Sequence, residues 1–166
     1  MTEELMTTER YSMKRVAPDA YRAMSGLQQV LATSSLPHSL LELVKMRASQ
    51  INRCAFCLDM HSKDALALGV PLEKLFLLDA WHEATCFTEQ ERAALAWTEE
   101  LTLIAATGVS DDTYTAARAR FSERELAELT LAIVAINGWN RIAVSTRMEP
   151  GHYTSRLQPE ADGATA

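Results

Sequence analysis

The sequence predicts an all-α fold, a compact single-domain bundle of about seven helices, and three observations predict it. Nearly half of the 166 residues are apolar, with alanine and leucine prominent and only 6 glycines and 5 prolines, a balance that favours helix over turn-rich β structure. Sustained period-two alternation is absent, and no Asn-Gly or Asp-Gly step joins two alternating runs as a hairpin would. Capping residues and prolines also divide the chain into segments of helical length. The size suits one domain with a core that needs no staples.

The elements follow in order from that punctuation. Pro18 fits the first turn of a helix reaching about Ala32. Pro37 opens a second, to about Ile51, where Asn52 can take the left-handed C-terminal position. A third is expected from Cys54 to Leu68, stopping at Gly69, and Pro71 starts a fourth that reaches about Glu83. Thr88 with Glu91, and Ser122 with Glu125, are capping boxes, each preceded by a phenylalanine, Phe87 or Phe121. Leu126 is placed for a hydrophobic staple in the second box, whereas Arg92 stands there in the first. A shorter helix from Ser110 to about Arg120 lies between. The last, about Glu123 to Ser145, is apolar on all sides through Leu131-Ala132-Ile133-Val134-Ala135-Ile136, which predicts the buried centre of the bundle. Domain organisation is therefore a helical domain over 1–150 and an irregular tail over 151–166, frayed from Pro159.

Composition narrows the function classes. A net charge of −6 with no basic stripe argues against nucleic acid as a partner. The longest uncharged run, Leu129 to Asn140, is too short to span a bilayer, so no membrane partner is expected. Met1 to Arg10 is polar and acidic, unlike a signal peptide, which points to the cytoplasm. In that reducing compartment three cysteines are poor candidates for structural disulfides. A close pair among them is then redox-active or metal-bound.

That pair lies in Cys54-Ala55-Phe56-Cys57-Leu58-Asp59-Met60-His61. At 100° per residue Cys54, Cys57, Leu58, His61, Ala65 and Leu68 share one helix face, with Asp59 and Lys63 opposite. Residues three or four apart have Cβ atoms roughly 5–6 Å apart, so the thiols can bridge and Cys57 neighbours His61. A free thiol is only about 3% ionised at neutral pH, and lowering its pKa by about two units takes roughly 2.7 kcal/mol. A helix N-terminus supplies about 0.3–1 kcal/mol, toward about 2 when partly buried. A further base or donor is needed, and His61 is within reach. Thioredoxin-type logic favours the first cysteine as nucleophile; proximity to His61 favours Cys57, with Cys54 closing the disulfide, and Cys57 is preferred here. Structural zinc is the rival reading, with Cys54, Cys57 and His61 as ligands and His82, Cys86 or Glu42 as the fourth. No second cysteine pair exists and a helical core needs no metal, so no metal is expected.

The segment Glu42 through His61, ELVKMRASQINRCAFCLDMH, resembles the core motif of alkylhydroperoxidase D-like proteins in the carboxymuconolactone decarboxylase superfamily. Leu78-Asp79-Ala80-Trp81 and Ala135-Ile136-Asn137-Gly138-Trp139-Asn140-Arg141 are also similar, so the likeness covers roughly residues 35–150. The resemblance implies an all-helical homo-oligomer, a trimer or hexamer. It also implies thiol-dependent hydroperoxidase or disulfide-exchanging activity without an organic cofactor, with a hydroperoxide as substrate and an external dithiol as reductant. By the same resemblance Cys57 is the peroxidatic cysteine, Cys54 resolves, and Glu42 with His61 relays the thiol proton. Phe56 departs from the pattern, because the best-known members carry a histidine there.

Periodicity by itself reads Glu42 differently. It lies with Met46, Ser49 and Arg53, away from the Leu40-Leu41-Val44-Ala48-Ile51 stripe, as a solvated glutamate paired with Arg53. Arg47 lies near that stripe and needs an ion pair. Trp81, Trp97 and Trp139 read as core or interface residues. Asn137 and Asn140, in or near the most apolar helix, should bond to backbone or water. His82 and Cys86 share a face without a clear role.

Overall fold

Pro18 stands in the first turn of a long helix, and four later helices open on a side-chain cap, at Cys54, Thr88, Ser110 and Ser122. The computed structural model describes residues 9–158; the acidic leader through Thr8 and the tail from Pro159 lie outside the described residues. Among the described residues there are nine α-helices and no strand. They are α1 (Met13–Val16), α2 (Pro18–Leu31), α3 (His38–Ile51), α4 (Ala55–Ala67), α5 (Leu72–Leu77), α6 (Glu89–Thr102), α7 (Ile104–Thr107), α8 (Asp111–Arg118) and α9 (Glu123–Thr146). The all-helical expectation holds. The two single-turn helices, α1 and α7, are too short to leave a 3.6-residue period in the sequence.

Both capping boxes form as read, with Thr88 and Ser122 accepting from the N3 backbone while Glu91 and Glu125 bond back. The helix after Pro71 ends sooner than expected. α5 gives way to a 3-10 turn at Leu78–Ala80, and the next carbonyls accept from Arg92 instead of continuing a helix. Arg92 Nη1 reaches Trp81 O at 3.2 Å and His82 O at 3.4 Å, and Nη2 bonds Ala84 O. Arg92, which the staple position would have made apolar, ties the α5–α6 connection to α6.

The left-handed residue after α3 is Arg53, φ 54°, rather than Asn52, whose backbone stays right-handed. Cys54 N donates to Ser49 O (3.0 Å) and Arg53 N to Gln50 O (3.1 Å), the two bonds of a Schellman closure. Cys54 is at once the residue that closes α3 and the N-cap of α4. No loop intervenes, so the thiol pair is held at a rigid helix–helix corner. Gly69, φ 86°, closes α4 in the same way, with Val70 N on Ala65 O at 2.9 Å.

The expectation for the centre of the bundle is corrected. α9 keeps Leu131, Val134 and Val144 exposed, so it is buried along one broad face only. The central helix is α3, which packs on α4, α6 and α9. With neighbours on several sides it buries Met46 and Ser49 as well as the Leu40-Leu41-Val44-Ala48 stripe. Arg47, at the α3 surface, pairs with Asp79 and with Glu99 (2.7 Å) and bonds Gln50 (3.0 Å), the ion pair its position required. Glu99 also accepts from Trp81 Nε1 at 2.7 Å.

Beyond α9 the chain is irregular, yet it is tied to α4. Gly151 N donates to Asp59 (3.0 Å), Lys63 Nζ to Tyr153 O (2.9 Å), and the Tyr153 hydroxyl to Asp64 (2.8 Å). This strap lies over the helix that carries the thiols.

Candidate active site

The two sulfurs sit at the α3–α4 corner, both buried, 2.7 Å apart and unbridged. Cys54, as N-cap, accepts from Cys57 N at 3.4 Å. Around them pack Ala48, Ile136 and Ala143, with Phe56, Trp139 and Met148 at the edges. The pair behaves as one acid with two sites. The Cys57 thiol as donor draws the Cys54 pKa down most; burial opposes this, and the N–H groups of Cys57 and Phe56 and the Asn140 side chain add to it, for a result of about 7. Cys57 moves upward, because its proton is bonded to the Cys54 sulfur, because it is buried, and because it faces the Cys54 charge. The first proton therefore leaves readily and the second does not. The remaining proton lies between sulfurs already in contact, and moving it across needs little displacement of heavy atoms.

Glu42 is the main correction to periodicity. It is not solvated and does not pair with Arg53: it is 4% exposed, accepting from His61 Nδ1 at 2.7 Å and from Lys45 Nζ at 2.6 Å. Burial pushes its carboxyl pKa up, but the His61 bond and charge and the Lys45 ammonium outweigh that and hold it at about 2. An ionised carboxylate only accepts, so His61 Nδ1 must carry hydrogen. In the neutral imidazole Nε2 is then the basic nitrogen. The structure thus brings Glu42 and His61 together and places His61 with Cys57 on the wall of one cavity of about 590 Å³.

That cavity has both polar and apolar residues in its wall. Glu42, Lys45, His61 and Asp64 are among the polar ones, and Leu31, Leu41, Met60 and Trp139 among the apolar ones. Tyr21 meets the Trp139 ring edge-on, centroids 5.3 Å apart. Phe56, standing where the resembled family has histidine, lines the cavity with its ring and offers it no proton-transfer group. Asp64, buried and bonded to Tyr153, is a residue the sequence reading passed over. Its burial and the carboxylate beside it push the Tyr153 hydroxyl up to about 12. Among the described residues, Glu42, His61 and Asp64 form the one group with metal-ligand atoms all within 4.8 Å of one another. The zinc set suggested by the cysteines is not that group.

Asn140 was also underestimated. It is 1% exposed, donates to Ser49 Oγ at 3.0 Å and accepts from Asn52 Nδ2 at 2.9 Å. Asn52 donates equally to Asn137 Oδ1, and Asn137 Nδ2 reaches Thr102 Oγ1 at 3.0 Å. The expected partners were backbone or water; apart from Asn137 on Ile133 O, the partners are side chains. Asn140 and Ser49 also act on the Cys57 sulfur, which makes this network the polar floor beneath the dithiol. The available signal was a pair of asparagines in an apolar helix, since buried amides must find partners. His82 is exposed, stacks on Trp81 and bonds Glu99 at 3.3 Å, remote in sequence and in bonding from the dithiol.

Comparison with known proteins places the chain in a family. Residues 18–100 match the carboxymuconolactone decarboxylase family model. The chain is 36% identical over 138 residues to the uncharacterized protein YdfG of Bacillus subtilis, covering 83% of this chain and 94% of that one. A protein of unknown function from Agrobacterium tumefaciens, named as a candidate antioxidant defence protein AhpD, superposes with a TM-score of 0.85 at 41% identity, covering 88% of this chain and all of the other. A peroxidase-related protein from Ralstonia eutropha with an alkylhydroperoxidase AhpD core gives a TM-score of 0.74 at 17% identity over 84% of this chain and 75% of that one, a likeness of fold alone.

Proposed function

This chain belongs to the carboxymuconolactone decarboxylase family, and from that premise we propose that it is a thiol-dependent hydroperoxidase acting through Cys57 and Cys54. The observation that carries the reading is the sulfur pair 2.7 Å apart, with one member, Cys57, sharing a cavity wall with the Glu42–His61 couple. Acidity does not select the attacking sulfur, since the proton can cross between the two. Access selects it: Cys57 lines the cavity where His61 waits and Cys54 does not.

In the first step the Cys57 thiolate, its proton passed to Cys54 or to His61 Nε2, attacks one oxygen of the hydroperoxide. The O–O bond breaks, and the departing alkoxide takes a proton from the protonated member of the site. An alcohol leaves, and Cys57 is a sulfenic acid. Cys54, whose charge the N–H groups of Cys57 and Phe56 and the Asn140 side chain favour, attacks the Cys57 sulfur as a thiolate and expels hydroxide, which is protonated to water. The Cys54–Cys57 disulfide results, and an external dithiol restores both thiols. No metal or organic cofactor enters. The apolar residues of the cavity wall, Leu31, Leu41, Met60 and Trp139 among them, suit an organic hydroperoxide with a hydrocarbon body over hydrogen peroxide. The exposed Leu131 and Val134 on α9 support assembly into a homo-oligomer, which sedimentation would measure directly.

Steady-state consumption of an organic hydroperoxide with a dithiol tests the reading. Cys57→Ser should abolish turnover; turnover at the parental rate would refute the assignment.

A further inference from the structure

A second cavity of about 440 Å³ opens on the dithiol, lined by Cys54 and not by Cys57. Arg53, Ala55, Val144, Arg147 and Glu149 form much of its wall. The two cavities share only Phe56, Ala143 and Met148, which stand as a partition between them. Each cysteine therefore lines a different cavity. The first cavity carries the base and several apolar side chains; the second carries two arginines against one glutamate and has neither Glu42 nor His61 in its wall.

We propose that the Cys54 cavity is the docking site of the reducing dithiol, so that oxidant and reductant reach the sulfur pair through separate openings. The inference rests on the hydroperoxidase reading for the origin of the disulfide, and on the two cavities for the rest. Thiol–disulfide exchange proceeds in line, with the attacking sulfur, the attacked sulfur and the leaving sulfur roughly collinear. A thiolate entering beside Cys54 meets its Sγ without crossing the Cys57 chamber. One thiolate of the dithiol attacks Cys54 Sγ, the Cys54–Cys57 bond breaks, and Cys57 leaves as a thiolate that takes a proton on the His61 side. The second thiol of the reductant, deprotonated by solvent, attacks its own partner sulfur in the mixed disulfide and releases Cys54. The dithiol is oxidised to a disulfide by two electrons and the protein pair is reduced by the same two.

The acidity of the pair fits this order. Departure of Cys54 in the second exchange is favoured because the sulfur of lower pKa leaves faster, and the α4 N-terminal N–H groups and Asn140 hold its charge. Arg53 sets positive charge in the wall where the incoming group must be a thiolate, which favours the reactive form of the reductant.

The test separates the two half-reactions. The disulfide is formed in the full-length protein with diamide, so its preparation needs no peroxidase activity, and its reduction by dithiothreitol is followed by thiol release. Ala55→Trp or Val144→Trp, both filling the Cys54 cavity, should slow reduction at least tenfold and leave oxidation of the reduced protein by hydroperoxide within twofold. Met60→Trp, which fills the other cavity, should do the reverse. A monothiol, 2-mercaptoethanol, added to the diamide-oxidised protein and quenched with acid should be found on Cys54 by peptide mass spectrometry. Slow reduction in Met60→Trp with normal reduction in Ala55→Trp and Val144→Trp, or an adduct on Cys57, overturns the proposal. Failure of hydroperoxide to oxidise any variant would strike the hydroperoxidase reading instead, while the dithiothreitol arm would still report which opening the reductant uses.

Discussion

Glu42→Gln removes a charge and almost no volume, and its consequences can be worked from the structure. The carboxylate is drawn from 4.5 to about 2 against the cost of burial, by His61 and Lys45. One pKa unit is about 1.4 kcal/mol, so the ionised group stabilises the folded state by about 3 kcal/mol at neutral pH. The side chain is 5% exposed and Lys45 11%, so solvent screens little of this. Because the folded pKa lies below the unfolded one, the unfolded chain binds more protons between them. The stabilisation is complete above about 4.5 and is lost as pH falls through about 2. Urea unfolding at pH 7 should therefore show Glu42→Gln about 3 kcal/mol less stable than the parent, with a gap that narrows to roughly half or less by pH 3. In the same variant His61 Nδ1 loses its anionic acceptor, and oxidation of the thiols by an organic hydroperoxide should slow about ten- to a hundredfold. A stability gap that stays constant from pH 7 to pH 3, or one below about 1 kcal/mol at pH 7, would refute the buried-couple argument.

Further outcomes follow from the residues around that couple. Asn140→Ala removes a donor that lowers both thiols, so the pH midpoint of alkylation by iodoacetamide should rise; an unchanged midpoint would remove Asn140 from the account. The same change leaves Ser49 and Asn52 short of a partner and should cost about 1–3 kcal/mol in urea unfolding. Tyr153→Phe deletes the hydroxyl bonded to Asp64 and should destabilise by about 1–2 kcal/mol. Amide hydrogen exchange should then quicken at Gly151 through Ser155, and unaltered protection there would mean the strap is held by other contacts.

Much of the fold was legible because its signals are local. The capping boxes at Thr88 and Ser122 and the proline at position 18 act within one turn, so reading them needs no knowledge of neighbours. The cysteine pair and His61 were legible for the same reason, lying on consecutive turns of one helix. Glu42 was not, because its partner comes from another helix. Periodicity assumes one buried face, and α3 packs on α4, α6 and α9, so a residue off its apolar stripe can be as buried as one on it. Composition misjudged α9 for the converse reason: an apolar surface can remain exposed, as Leu131 and Val134 do. The early end of α5 was hidden too, since the Arg92 bonds to Trp81, His82 and Ala84 cross a connection that the sequence does not show closing.

The separate roles of the two sulfurs are tested most directly by trapping. The reduced protein, treated with one equivalent of an organic hydroperoxide, should lose two thiols, release one equivalent of the alcohol and carry a Cys54–Cys57 bridge. In Cys54→Ser the same treatment with dimedone present should label Cys57. A label that forms at the parental rate on Cys54 in Cys57→Ser, with none on Cys57 in Cys54→Ser, would contradict the account.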